Sequence, residues 1–441
     1  MQMNDMIIVS ADDHFVEPPD MFDRHLPKKW LDRAPKCRVA PTGEYEWTFE
    51  GKHGLNHDNN AVVGRPRAEL GFLPNSFHHM RKGCWDAKAR LDDMNVNGVL
   101  AGINFPTFPY HSLEMIISAN DKALAEAVIC AFNDWHIDEW CAAGPGRFIP
   151  LVSLPLWDSD LAIKELRRNL RRGAHAINFP AFPNQQGLPS LQQDFWRPFL
   201  KAINDEGVVI CVHCGAGGGT EAIAPDSPID ALNNKRGLSC MSAATEWLWS
   251  PWPREFDDLK ILMSEGDIGW IPYMTGRADQ TYRNHSAWTH QNFGKKWPSE
   301  VFREHFYASF IEDLFGLEVR NNIGVETITF ECDYPHADVT WPHSPERLWE
   351  DFRKTGCSDR EVDMITHENA LKLFQFDPFS VLDRKACTVG ALRAQGAGVD
   401  MSPVTGGIAP PVDKSRVVTW ADAAAQLNKR LPTDGGASAV Q

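Results

Sequence analysis

Three apolar runs in this chain end in side chains that can bind a metal ion. Residues 7–14, IIVSADDH, end in Asp12, Asp13 and His14. Residues 208–215, VVICVHCG, are rich in β-branched residues and carry His213 just before a Gly-rich stretch. Residues 327–336, TITFECDYPH, carry Asp333. A single histidine at the end of a strand is more readily a satisfied core residue than a ligand. Three strands ending alike suggest one site assembled from distant parts of the chain. Side chains two apart on a strand share a face, so Asp12 and His14 project together and Asp13 points away. Asp12, His14, His213 and Asp333 supply two carboxylates and two imidazoles. Such a set suits one divalent ion, Zn²⁺ first and Mn²⁺ as the alternative, with positions left for water or substrate. Cys211 and Cys214 form a CxxC around His213, but a strand turns them to opposite faces, which argues against a zinc knuckle.

The elements that must position these residues follow a regular rhythm. Strand-like runs at 7–12, 98–105, 148–155, 173–179, 207–213, 259–265, 305–310 and 327–332 alternate with helical ones. That alternation implies a parallel sheet. Eight such units predict a (β/α)₈ TIM barrel, with an insertion after strand one and a C-terminal extension. A doubly wound open sheet is the rival, but no GxGxxG or Walker A motif opens a helix. In a barrel, active groups sit at the C-terminal ends of strands, where Asp12, His14, His213, Glu265 and Asp333 all fall.

Residues 1–377 are expected to form the barrel. Residues 37–85 read as an irregular inserted lid, with EYEWTF (44–49) as one short strand. Its histidines, His53, His57, His78 and His79, read as loop residues. From 378 to 441 the chain turns Ala-, Gly- and Pro-rich and is expected to be a tail, disordered or packed as an arm on a partner subunit, with TWADAAAQLNKRL as one helix.

With 441 residues, a formal net charge of −15 and ordinary hydrophobic content, this reads as a soluble globular protein with no nucleic-acid or acidic-membrane partner. The first residues have no basic stretch followed by a long apolar one, and no run approaches a membrane span. The expected setting is cytoplasmic. Arg277 and Arg283, just after strand six, are either a clamp for a substrate carboxylate or surface charges on a helix. Phe105, Phe108, Phe179, Phe182, Trp270 and Trp341 lie near strand ends and would suit a planar ring.

Taken in order, DxHxxE at 12–17, VHCG at 212–215, CDYPHADVTWPHS at 332–344 and HENALKLF at 367–374 resemble the amidohydrolase superfamily. The nearer branch is the amidohydrolase-2 group that includes aminocarboxymuconate semialdehyde decarboxylase and γ-resorcylate decarboxylase. The resemblance spans 5–376. It implies metal ligands at Asp12, His14, His213 and Asp333, although strand one in such proteins usually carries HxH or ExH rather than DxH. Strand six departs further: relatives often place a histidine there, and this chain has Ser264-Glu265-Gly266. Glu265 is then either the second acid/base group beside Asp333 or a salt-bridged carboxylate at the rim. Glu17 would be a fifth ligand or a partner that orients His14. His336 would orient Asp333, bind substrate, or simply shape its loop. The resemblance implies a non-oxidative carboxy-lyase acting on a small aromatic or unsaturated carboxylic acid. A hydrolase of a C–N, C–O or C–C bond, or a hydratase, could use the same residues. A homodimer or higher homo-oligomer is expected, by resemblance and because the tail needs a surface to pack on.

Overall fold

The computed structural model describes residues 1–39, 45–55, 60–70, 76–108, 113–213, 223–407 and 415–423. His57 and Cys214 lie outside these residues, as does most of the TWADAAAQLNKRL stretch.

The central strands are β1 (Val9–His14), β5 (Ala101–Phe105), β6 (Phe148–Ile149), β7 (Leu151–Val152), β8 (Ala176–Phe179), β9 (Val209–His213), β10 (Lys260–Ser264), β11 (Phe306–Phe310) and β12 (Ile328–Phe330). All their pairings are parallel, in the orders β1-β5-β6 and β7-β8-β9-β10-β11-β12. Only Pro150 separates β6 from β7. A proline has no N–H for the ladder, so one strand is interrupted at that residue. The sequence-predicted strands are all present, each trimmed at one or both ends. Just past β12 the chain meets β1 again: Asp333 N donates to Asp12 O at 2.9 Å and His14 N donates to Tyr334 O at 2.6 Å.

Every residue of β1, β5, β8, β9, β11 and β12 is buried. Burial on both faces explains why these strands read as continuous apolar runs rather than as alternating ones. Helices cover the outside and start where the sequence supplies caps. Asp86 accepts from Ala89 N at the start of Ala87–Asn97, and Asp158 accepts from Leu161 N at the start of Ser159–Leu170. Helix Arg197–Glu206 ends at Gly207 (φ 66°), a left-handed cap that turns the chain directly into β9 and so toward His213.

The region 37–85 is more regular than its composition suggests. β2 (Lys36–Val39), β3 (Tyr45–Phe49) and β4 (Lys52–Leu55) form an antiparallel sheet, and Trp47 is fully buried against Phe22 and stacked on Phe108. The described part of the predicted tail is also built into the body. Cys387, Val389 and Leu392 are buried, and Val389 N donates to Met6 O. Farther on, Arg81 donates to Asp400 O and Arg65 to Gly406 O, while Ile229 N bonds Val418 O and Trp420 N bonds Ser227 O. The composition changes at 378, but packing against the core does not stop there.

His136 follows helix Lys122–Trp135 and is buried among Phe15, Phe132 and Trp135. Its Nδ1 lies 2.7 Å from Leu151 O, and burial pulls its pKa from 6.5 down to about 4. The folded state keeps it neutral while the unfolded chain takes up a proton below pH 6.5, so stability falls as pH drops from 6.5 toward 4. The loss should amount to on the order of 3 kcal/mol. Urea unfolding of wild type and His136→Gln across this window should show the steeper pH dependence in wild type. Parallel curves would mean that His136 does not titrate this way.

Candidate metal centre

β1 and β9 deliver His14 and His213 to the same end of the strand array, with their Nε2 atoms 2.9 Å apart. Carboxylate oxygens surround that pair. Asp12 Oδ1 lies 3.3 Å from His14 Nε2, and Asp12 Oδ2 lies 3.4 Å from His213 Nε2. Asp333 Oδ1 is 3.5 Å from His14 Nε2, and Glu265 Oε2 is 3.3 Å from His213 Nε2. His336 Nδ1 stands 2.7 Å from Asp333 Oδ1. Asp12, His14 and His213 form one group whose ligand atoms all lie within 4.8 Å of one another, and His14, Glu265, Asp333 and His336 form another. All four sequence-predicted ligands therefore converge, as do Glu265 and His336.

Local backbone geometry produces this convergence. The β1–β5 register shifts between Ser10 and Asp13. Asp12 and His14 turn to the centre, while Asp13 turns away and accepts from Tyr334 N at 3.0 Å. A side chain at residue 102 would meet Asp13 Oδ2 at 2.3 Å, so only glycine fits there. Asp333 and Glu265 both sit at the ends of their strands with positive φ, 54° and 56°. That conformation is costly for residues with a Cβ and persists where surrounding contacts enforce it. Asp313 supports the turn after Glu265 by accepting from Ile268 N at 2.9 Å and Gly269 N at 2.6 Å. Arg90, almost fully buried, donates to His14 O and to Gly83 O, with its guanidinium 3.9 Å from the centre of the Tyr334 ring.

The electrostatics call for a cation. Asp12 is fully buried, and neither of its carboxylate oxygens has a hydrogen-bond partner among the described residues. Burial pushes its carboxyl well above the ordinary range, and the neighbouring acids Glu331, Asp333, Glu265 and Asp13 push it the same way. A divalent ion held by two imidazole nitrogens and carboxylate oxygens would reverse that field, so the residues present fit such an ion. Phe105 forms an apolar wall, its ring centre 5.9 Å from that of His14 and 5.1 Å from that of His213.

Glu17 departs from its expected place at the centre, and Arg277 and Arg283 take the plainer of their two readings. Glu17 points elsewhere: its Oε1 accepts from Thr107 N at 2.9 Å and Phe108 N at 2.8 Å, pinning the segment after β5. Arg277 and Arg283 lie on the exposed face of helix Ile271–Thr289, where Arg277 donates to Gln280, and neither reaches the centre. One residue of the site escaped sequence reading. Glu331 is fully buried, and its Oε2 accepts from Glu265 N at 3.0 Å and from the Ser309 hydroxyl. Burial pushes its carboxyl up to about 8. Its spacing of two from Asp333 was the available signal.

A family profile described as Amidohydrolase matches residues 72–376. Among curated proteins, the chain is similar to γ-resorcylate decarboxylase of Rhizobium sp. (strain MTP-10005), 22% identical over 363 residues, covering 75% of this chain and 99% of that protein. Among solved structures, it is similar to the amidohydrolase map2389c from Mycobacterium avium subsp. paratuberculosis K-10, with a TM-score of 0.64 and 20% identity over 84% of this chain and 99% of that one. It also matches a dihydroxybenzoic acid decarboxylase from Polaromonas sp. JS666 solved with bound manganese and the inhibitor 2-nitroresorcinol. There the TM-score is 0.55, with 19% identity over 86% of this chain and 99% of that one.

His213→Ala removes one of two nitrogens from the centre while leaving β9 paired on both sides. It should purify folded and bind a divalent ion at least roughly tenfold more weakly than wild type, measured by titration calorimetry. Undiminished affinity would remove His213 from the ligand set.

Proposed function

The chain belongs to the amidohydrolase family, and from that premise we propose that it is a metal-dependent, non-oxidative carboxy-lyase of a small aromatic or unsaturated carboxylic acid. The observation that carries this reading is the buried convergence of Asp12, His14, His213 and Asp333, with two further proton-handling groups, Glu265 and His336, beside them. The activity for which the curated relative, γ-resorcylate decarboxylase, is named supports the same reaction class. The strand order and the bonds between β1 and the residues after β12 support reading the fold as a closed (β/α)₈ barrel. Residues 37–85 are its insertion and the residues beyond 377 its extension.

Asp12, His14, His213 and Asp333 would hold one divalent ion. Zinc suits the donors, and manganese is the ion named for the Polaromonas structure. When bound, that ion supplies Lewis-acid binding and charge neutralisation for the anionic oxygens of the substrate. The protein groups supply the proton chemistry. Asp333 or Glu265, in its acid form, delivers a proton to the carbon that bears the carboxylate. The bond from that carbon to the carboxylate then breaks, CO₂ departs, and the electron pair returns to the ring or conjugated system. The acid is left as a carboxylate and regains its proton from solvent. His336, 2.7 Å from Asp333 Oδ1, is placed to hold or pass a proton at that oxygen. Phe105 supplies an apolar surface that limits water at the reacting carbon.

The described cysteines are all free thiols, in keeping with a reducing cytoplasm. No helix among the described residues is long and apolar enough to cross a membrane. A homo-oligomer is part of this reading, by resemblance to the family; Tyr273, Trp288 and Phe315 are among the strongly exposed aromatics.

Two measurements test the reading. Metal-loaded protein incubated with a panel of hydroxybenzoates and related unsaturated acids should release CO₂, and chelation should stop it. A protein that holds metal but releases no CO₂, yet cleaves amides, esters or lactones, would belong with the hydrolases instead. On the substrate so found, Asp333→Asn should lower turnover by roughly 10³-fold or more, and Glu265→Gln by roughly 10²-fold. Near-normal turnover in the first variant would sink the proton-transfer role of Asp333, and in the second would make Glu265 a structural rim carboxylate.

A further inference from the structure

Glu331 is a fully buried carboxylate set among acids. It belongs to neither converging group of ligand atoms, yet it stands one residue past β12, on the segment that delivers Asp333. Burying one more acidic group beside Asp12, Asp333 and Glu265 is costly unless it is bonded to something that needs it. Its bonds identify what that is. β10 ends at Ser264, which lies in register with His213, so the ladder formed with β9 stops one residue before Glu265. At Glu265 the backbone switches to φ 56°, and Asp267 follows at φ 54°. The Glu265 N–H points at Glu331 Oε2, 3.0 Å away. The same Oε2 accepts from the Ser309 hydroxyl on β11, which fixes the carboxylate between the two strands. A carboxyl acceptor therefore stands where a ladder carbonyl would otherwise be, at a residue whose left-handed backbone needs holding.

We propose that Glu331 is a positioning residue whose carboxylate locks the left-handed backbone of Glu265 and so aims the Glu265 side chain at His213. The catalytic part of this inference rests on Glu265 acting as an acid/base group; the backbone lock does not. A change at residue 331 moves Glu265 and also alters the field at Asp12; glutamine, which keeps the bond but not the acid, separates the two effects. Glutamine keeps an acceptor oxygen at the same reach, methionine fills the space without one, and aspartate keeps the carboxyl but is one methylene too short.

The test compares Glu331→Gln, Glu331→Met and Glu331→Asp in the full-length, metal-loaded protein. The first readout is amide hydrogen exchange across residues 264–268. In Glu331→Met exchange there should rise by about tenfold or more while β9 stays protected, and Glu331→Gln should match wild type. The second readout is steady-state kinetics on the substrate identified by CO₂ release. Glu331→Met should lower kcat by roughly 30-fold with KM and metal content little changed, and Glu331→Gln should stay within about threefold of wild type. In a Glu265→Gln background the methionine change should cost less than about threefold more, because both act through one group. If Glu331→Met does not fold, Glu331→Asp takes its place, with the same expected rise in exchange. Unchanged exchange at 264–268 in the variant that lacks reach would overturn the proposal, as would a glutamine variant as impaired as the methionine one. If Glu265→Gln alone leaves turnover intact, the acid/base reading of Glu265 fails, and the exchange data still decide whether Glu331 holds that backbone.

Discussion

The structure depends on keeping several carboxylates close together out of water. Asp12 and Asp333 are fully buried and face two imidazoles across little more than 3 Å, with Glu265 at the edge and Glu331 behind. In a low-dielectric interior such a cluster raises its own proton affinity and repels itself, unless positive charge or donated hydrogen bonds offset the burial. The surrounding residues divide that work. Asp13 faces away and accepts a backbone N–H, Glu331 accepts an N–H and a hydroxyl, and the Asp12 carboxylate accepts no hydrogen bond among the described residues. The Asp12 carboxylate is placed between the two histidines, where a cation would be held.

Around this centre the supporting contacts act mainly through the backbone. Arg90 bonds the carbonyl of His14, Ser10 bonds the carbonyl of Asp12, and Asp313 gathers the amides after Glu265. Each fixes the peptide group of a site residue and leaves its side chain directed inward. That arrangement lets a fold made mostly of ordinary apolar strands carry strained residues at its strand ends, since the strain is met locally by buried polar partners.

Much of this was legible in the sequence. Strand-end positions drew attention to Asp12, His14, His213 and Asp333, because three buried parallel strands finishing alike in polar residues is unusual, and the structure brings the four together. The helix–strand rhythm gave the order of elements, with errors of a few residues where ladder hydrogen bonds stop short of the apolar run. Glu17 misled because DxHxxE reads as one cluster, whereas the chain leaves the strand after His14 and carries Glu17 to the neighbouring loop. Arg277 and Arg283 looked close to the site in sequence, but both fall on the outer face of a helix. Glu331 was hidden in plain alternation, a charged residue inside an apolar strand that invited no role without a view of Glu265 N. The sheet within 37–85 and the buried residues after 378 have compositions that do not announce packing, because a few side chains (Trp47, Val389, Leu392) do most of it.

The bonds that join β1 to the residues after β12 also govern when the centre can exist. Tyr334 N meets Asp13 Oδ1 across 321 residues of chain, and Asp333 is brought beside Asp12 by the same seam. Contacts that distant in sequence are favoured last in folding, because the entropy of closing so long a loop must be met before they form. During synthesis, the first strand leaves the ribosome with Asp12 and His14 long before Asp333 has been made. A partly folded chain therefore offers at most fragments of the ligand set, and ion capture by the full set marks the completion of the fold.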